Sequence, residues 1–302
     1  MKKNYTFWKP IYVACLSLLW TSHQESSFAD DSQIIESFRK ISRATNWHKI
    51  QEIRFHFQTF HPQGMIFVKE KIFLTSVQTI DRNEQKGLGH LFQVDWKGHL
   101  TRQIRLEQGK AYHPGGLDFD GTHLWVPVAE YRPDSRSVVF RIDPETLHAE
   151  KVFEFNDHLG TLVCNRNSGD LIGANWGSRT FYRWKKNPES GDYKLTQTKT
   201  NGAHYIDYQD GRYLTGTGYI LFNGLAGHRS ILGNAPPYTI GGLELVNSET
   251  LQAEHQIAVP MQAPSGRTMT QNPFEVKIVN GKTRFYFLPD DGDSVMFGFE
   301  TR

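Results

Sequence analysis

A phrase that occurs twice constrains this chain more than any other feature of it. Residues 140–150 read FRIDPETLHAE and residues 243–254 read LELVNSETLQAE, sharing Glu-Thr-Leu-x-Ala-Glu outright. In each copy the phrase is a turn between two alternating runs. Around the first copy, His113–Phe155 divides into four short apolar or alternating runs separated by turn residues, which is one antiparallel meander. Units of this kind repeated at roughly fifty residues point to a β-propeller, each unit being one blade.

The rest of the chain follows the same plan. Blade 1 opens at His61-Pro62-Gln63-Gly64 and runs through Met65–Lys69, Lys71–Val77, His90–Asp95 and Leu100–Leu106. Blade 2 is the stretch above. Blade 3 opens at Asp157-His158-Leu159-Gly160 and continues through Thr161–Asn165, Leu171–Trp176, Thr180–Lys185 and Tyr193–Thr198. Blade 4 opens near His204, with strands at Tyr205–Gln209, Tyr213–Tyr219, Gly242–Asn247 and Ala253–Val259. Blade 5 starts near Asn272-Pro273-Phe274-Glu275, has Val276–Val279, Thr283–Pro289 and Val295–Glu300, and lacks a fourth strand. The alternating run at residues 50–59 is a strand without a blade. A propeller closes by pairing strands from its two ends, so the expectation is an all-β, five-bladed β-propeller closed by an N-terminal strand. Helical spacing of Ile34, Ile35, Phe38, Ile41 and Trp47 predicts one short helix over Asp31–His48, capped by Ser32. An all-β sandwich is the competing architecture.

The first 29 residues read as a secretory signal: Lys2, Lys3 and Lys9, an apolar run at Ile11–Trp20, and a small-x-small site at Ser27-Phe28-Ala29. The run is too short to span a bilayer. Removing these residues takes three Lys and one Glu from totals of 34 and 32, leaving 31 basic and 31 acidic side chains. A balanced chain gives no electrostatic case for nucleic acid or an anionic membrane. Cys164 is then the sole cysteine, which excludes an intrachain disulfide, and in an apolar run it reads as a core residue. The expectation is an exported, periplasmic or extracellular monomer, with no membrane contact once the signal is cleaved.

In a propeller, the loop leading into each first strand and the loop between the second and third strands open on one face. The leading loops place His61, His113 and His158 in one register, with His204 shifted toward its strand and Glu275 in blade 5. Such a ring of imidazoles with one carboxylate could bind a divalent transition metal and activate water for a hydrolase or lyase acting on a small polar substrate. Glu130 could serve as general base, with Arg132 and Arg179 holding an anionic group. Two other readings use the same residues: a metal-free site for a small-molecule or glycan ligand, or histidines that bond the neighbouring blade's backbone. Trp176, Tyr131, Tyr219 and Tyr238 are candidates to stack a ring. Residues 219–240 read as a long loop, a lid or binding loop. Asp290-Asp291-Gly292-Asp293 reads as a turn before a calcium loop. His56, His90, His99, His123, His148 and His255 read as surface or packing residues. No phosphate loop or nucleotide-cofactor motif is present.

The run HPGGLDFDGTHLWVPVAEYRPDSRSVVFRIDPETL resembles a family of secreted bacterial and fungal proteins of unknown function with a propeller-like fold. The resemblance extends from about residue 45 and is strongest at His113–Gly116, Val128–Arg132 and Asp143–Leu147. It implies export and a propeller and carries no activity. More remotely, the pattern is similar to gluconolactonase-like and quinoprotein-like propellers. The acidic calcium set of the lactonases is missing, because His occupies the leading positions.

Overall fold

The computed structural model describes Met1, residues 30–228 and residues 238–301. The expected signal peptide and the segment 229–237 lie outside the described residues. The described strands form five antiparallel sheets, each a meander, arranged as the five blades of a propeller. Blade 1 is His61–Val68, Lys71–Asp81, Lys86–Val94 and Leu100–Arg105. Blade 2 starts as Ala111–Pro114, resumes at Asp118–Phe119, and continues as Leu124–Glu130, Ser137–Ile142 and Ala149–Phe155. Blade 3 is Leu159–Cys164, Leu171–Asn175, Thr180–Lys186 and Tyr193–Thr200. Blade 4 is Asp207–Leu214, Tyr219–His228, Tyr238–Asn247 and Gln252–Val259.

Blade 5 holds Phe274–Val279, Lys282–Phe287 and Val295–Thr301, and its outer strand is the N-terminal Trp47–Arg54. That strand pairs from Trp47 opposite Thr301 to Arg54 opposite Val295, so the ring closes as expected. Its position differs from the expected 50–59. The helix is correspondingly shorter, Ser32–Lys40 rather than Asp31–His48. Past Lys40, the Ser42 and Thr45 hydroxyls accept main-chain N–H groups from Ala44 and Ser42, an alternative to helical bonding. Trp47 is drawn into the closing strand, edge-on to Phe285 at 5.4 Å. Ser32 does not cap the helix. Its N–H bonds Asp30, and the Asp31 carboxylate instead accepts the Thr215 N–H at 2.8 Å. Ile34, Phe38 and Ile41 bury the helix face against residues of blades 4 and 5.

The repeated phrase has a physical cause. Asp143 and Asn247 each accept two N–H groups from the turn that follows, Glu145 and Thr146 in one case, Glu249 and Thr250 in the other. Each turn ends on a buried leucine, Leu147 or Leu251, whose φ is positive (62° and 52°). Burial of the leucine and the Asx turn together hold a backbone conformation that leucine alone disfavours.

Blade 4 corrects one expectation. Its first hairpin turns at residues 215–218, and its second and third strands run on to His228 and Tyr238, paired residue for residue. Residues 219–240 are therefore mostly ladder rather than loop. Tyr219 lies at the hairpin end of its strand and reaches Glu254 with its hydroxyl and Arg39 with its ring.

The inner strand of a blade leaves one edge facing the axis, and its buried N–H groups need acceptors. Carboxylates from other blades supply them. Asp210 of blade 4 accepts the Met65 N–H of blade 1 at 3.0 Å, and Glu275 of blade 5 accepts the Phe67 N–H at 3.0 Å. Asp118 of blade 2 accepts Cys164 N–H of blade 3 at 3.1 Å and Tyr213 N–H of blade 4 at 3.3 Å. Arg212, 3% exposed, joins them. Its guanidinium donates to Glu275 at 3.1 Å, to Asp210 at 3.0 Å, and to the Leu117 and Phe274 carbonyls at 2.7 and 2.8 Å. Burial pushes the Asp118 carboxyl up, with Arg166 and Arg212 pulling against it. Burial acts on Glu275 too, but Lys277, Arg212 and two main-chain N–H groups more than offset it and hold that carboxyl below its usual range. This plug is crowded: a Cβ on Gly116 would sit 2.5 Å from Thr161 Oγ1 and 2.7 Å from Asp210 Oδ1.

Candidate functional site

At one end of the axis lies a pocket of about 220 Å³. His61, His113 and His158 line it, from the leading positions of blades 1, 2 and 3, together with Tyr131 and Trp176 from second-to-third loops. Asp207, Tyr208 and Gln209 supply the blade 4 side.

Each imidazole is held differently. His158 is 2% exposed, and its Nδ1–H donates to the carbonyls of Glu130 at 2.9 Å and Arg132 at 3.1 Å. Carbonyls only accept, so the proton is on Nδ1, and the neutral ring carries its lone pair on Nε2. Burial depresses His158 to about 4, against the opposing pull of those carbonyls. His61 donates from Nδ1 to Asp291 Oδ1 at 2.8 Å. Asp291 is itself fixed by Arg267 at 2.7 Å and Asn272 at 2.9 Å. Burial works to raise the Asp291 carboxyl, but His61, Arg267 and Asn272 outweigh it and hold it at about 2. His113 is 5% exposed and its Nδ1 is buried with no hydrogen-bond partner. Burial first, then the charges of His158 and His61, pushes it well below the ordinary histidine range.

The rings form a continuous wall. His113 stacks on Tyr131 with centroids 4.1 Å apart and stands 5.2 Å from His158. Trp176 meets His158 edge-on at 4.7 Å and Tyr131 at 5.9 Å. Behind Tyr131, the Arg82 guanidinium lies 4.3 Å from the ring centroid.

The other candidates lie apart. Glu130 and Arg132 pair with each other at 2.7 Å on the far side of His158. His204 is exposed and lines a separate groove with Lys199 and Tyr205, where its Nδ1 accepts from Arg179 at 2.6 Å. Arg179 also pairs with Asp207. Glu275 belongs to the axial plug. The five side chains of the expected metal set are thus divided among three places. Among the described residues, no group of three or more His, Cys, Asp or Glu is arranged to hold a metal ion, so the set does not fit one metal centre. Asp290, Asp291 and Asp293 diverge, to Ser265, His61 and Gln58 respectively, which is the behaviour of a turn. Cys164 is buried, and burial pushes its thiol up. His90 is a packing residue, stacked against Phe60 and Phe92.

Sequence reasoning placed Asp291 on this face but read it only as part of a turn. Its pairing with His61 needed the knowledge that blade 5 abuts blade 1. Arg82 sits at the corresponding loop of blade 1, and that loop position was the available signal for it. Asp118, Asp210 and Arg212 carried no signal, because they alternate with apolar residues on strands that look like ordinary half-exposed ones.

Fold and pocket together define a five-bladed propeller with a ring-walled site at one mouth of its channel. The chain belongs to a family of unknown function, DUF6454, which matches residues 24–300. A comparison with curated proteins finds no match. Among solved structures, the tail fibre of Staphylococcus aureus phage P68 is similar at 8% identity and a TM-score of 0.51, over 89% of this chain and 55% of that one. The major Malassezia sympodialis allergen Mala s 1 is similar at 10% identity and a TM-score of 0.46, over 80% and 78%. The mannose phosphorylase MPT-4 from Leishmania mexicana, solved with a phosphate ion, is similar at 9% identity and a TM-score of 0.49, over 89% and 92%. At such identities the likeness concerns the fold alone.

Proposed function

We propose that the mouth pocket is a recognition site for one small, polar, ring-bearing molecule, such as a single unit of a glycan. The observation that carries this reading is the wall of His113, Tyr131, His158 and Trp176 around about 220 Å³. Aromatic faces favour a ring lying flat against them. The volume suits one ring rather than a chain, and the plug behind the pocket blocks threading through the axis. With the leader expected at residues 1–29, the ligand would be met outside the cytoplasm.

A thermal-shift survey of monosaccharides and other small ring compounds tests this. A ring ligand should raise the melting temperature of the parent protein and leave that of Tyr131→Ala unmoved. A survey in which nothing shifts the parent protein, or in which Tyr131→Ala responds equally, contradicts it.

One observation favours turnover as a second reading. His61 Nδ1 is fixed by the ionised Asp291, which leaves Nε2 as the basic nitrogen on a ring that lines the pocket. The expected hydrolase or lyase chemistry would then use His61 as general base without a metal. Under this reading His61→Ala keeps ligand binding and loses conversion of the ligand.

A further inference from the structure

Three inner strands carry a surplus residue near the mouth. The ladder shifts register between Pro62 and Gly64 in blade 1, between Leu159 and Thr161 in blade 3, and between Tyr208 and Asp210 in blade 4. Gln63, Gly160 and Gln209 are thereby left without a partner residue on the next strand, and all three line the pocket. A bulge turns its side chain out of the sheet's alternation, which is why bulges gather beside sites. In blade 3 the surplus residue is glycine and puts no side chain in the way. In blades 1 and 4 it is glutamine. Gln63 Nε2 donates to the Pro62 carbonyl at 3.1 Å, and its Oε1 has no partner among the described residues. The Gln209 amide makes no hydrogen bond to the described residues at either end. Other polar groups of the pocket are committed. Asn175 donates to Asp157 at 3.0 Å and accepts the Thr180 N–H at 2.8 Å, and the Tyr208 hydroxyl donates to Glu244.

Resting on the ring-ligand reading, we infer that the molecule held at the mouth is an uncharged sugar, and that Gln63 and Gln209 select it by reading two of its hydroxyls. Among the described residues that line the pocket there is no Lys or Arg, and the one carboxylate, Asp207, is answered by Arg179. An anion gains no charged partner there. The wall presents acceptors instead: Gln63 Oε1, and the Nε2 lone pair of His158, whose Nδ1–H is committed to carbonyls. The Gln209 amide adds both a donor and an acceptor. A hydroxyl gives and takes hydrogen bonds, so a ring carrying several suits this mixture. A ring with one polar atom leaves most of it unmet. Tyr131 and Trp176 would cover the apolar face of the sugar.

Calorimetric titration tests this with glucose, galactose and mannose as neutral sugars, and with phenol and cyclohexanol as rings bearing one hydroxyl. At least one sugar should bind about tenfold more tightly than either of the other rings. Gln63→Ala and Gln209→Ala should each weaken that sugar about threefold to tenfold, the worth of one hydrogen bond, with the unfolding transition of each variant recorded beside it. Monodeoxy forms of the same sugar give a check that needs no variant. At least one should bind the parent protein more weakly by the same factor, and should lose nothing further in the variant whose amide it no longer meets. Phenol or cyclohexanol binding as tightly as the best sugar overturns the inference while leaving the ring-ligand reading in place. So does a sugar whose affinity is unchanged in both variants or by every deoxy substitution. If none of the five probes binds the parent protein, the ring-ligand reading falls and this inference with it.

Discussion

The channel holds two polar clusters, and they differ in what they leave unmet. In the plug, the Arg212 guanidinium has carboxylate and carbonyl acceptors, and Asp118, Asp210 and Glu275 accept from strand edges of other blades. At the mouth, His113 keeps a buried nitrogen without a partner, and His61 and His158 are each fixed through Nδ1 alone. A cluster whose charged groups all have partners serves the fold. One whose rings line an open pocket is where a ligand can gain.

Substitutions should separate the two regions. Arg212→Ala strands buried carboxylates, and should cost about 3–5 kcal/mol in chemical denaturation or prevent folding. Acid should separate them next. Burial lowers His158 from 6.5 to about 4, so the unfolded chain takes up that proton first. The stability this neutral ring contributes is complete above pH 6.5 and is lost as pH falls toward 4, at up to about 1.4 kcal/mol per pH unit. His90, lowered to about 4 by burial and Arg105, adds the same slope away from the pocket. Glu275 acts in a lower window. Its depressed value gives stability that is present above the ordinary 4.5 and lost below it. Melting curves against pH should show both windows, and His158→Gln should make only the upper one shallower, with the His90 share remaining. Gly116→Ala should cost about 1–3 kcal/mol, because the new methyl meets Thr161 and Asp210 in the plug. His204→Ala, at an exposed residue outside the pocket, should change stability by less than about 0.5 kcal/mol and leave ring-ligand binding intact.

The architecture was legible because each blade spells its turns. Asp143 and Asn247 recur for the same hydrogen-bonding reason, and the surplus strand at one end matches the deficit at the other. Blade 4 was misphased because Thr215–Gly218 turns without Pro or Asn while residues 219–228 alternate through Gly224 and Gly227. The helix was overlong because Trp47 keeps helical spacing but gains more by packing on Phe285. Of the site, one register position gave His61, His113 and His158 together. His204 departed from it because Gly202–Tyr205 lies outside the strand that begins at Asp207. The partners Asp291 and Arg82 came from loops of neighbouring blades, a contact that one blade's pattern does not encode.

The division between plug and mouth is tested most directly at Trp176, half-buried in the wall of the pocket. Calorimetric titration of Trp176→Ala with a ring ligand, read beside its unfolding free energy, should show binding reduced at least about tenfold and stability changed by less than about 1 kcal/mol. Unchanged binding with a large loss of stability would make the rings of the mouth part of the core and contradict the assignment of a ligand to this pocket.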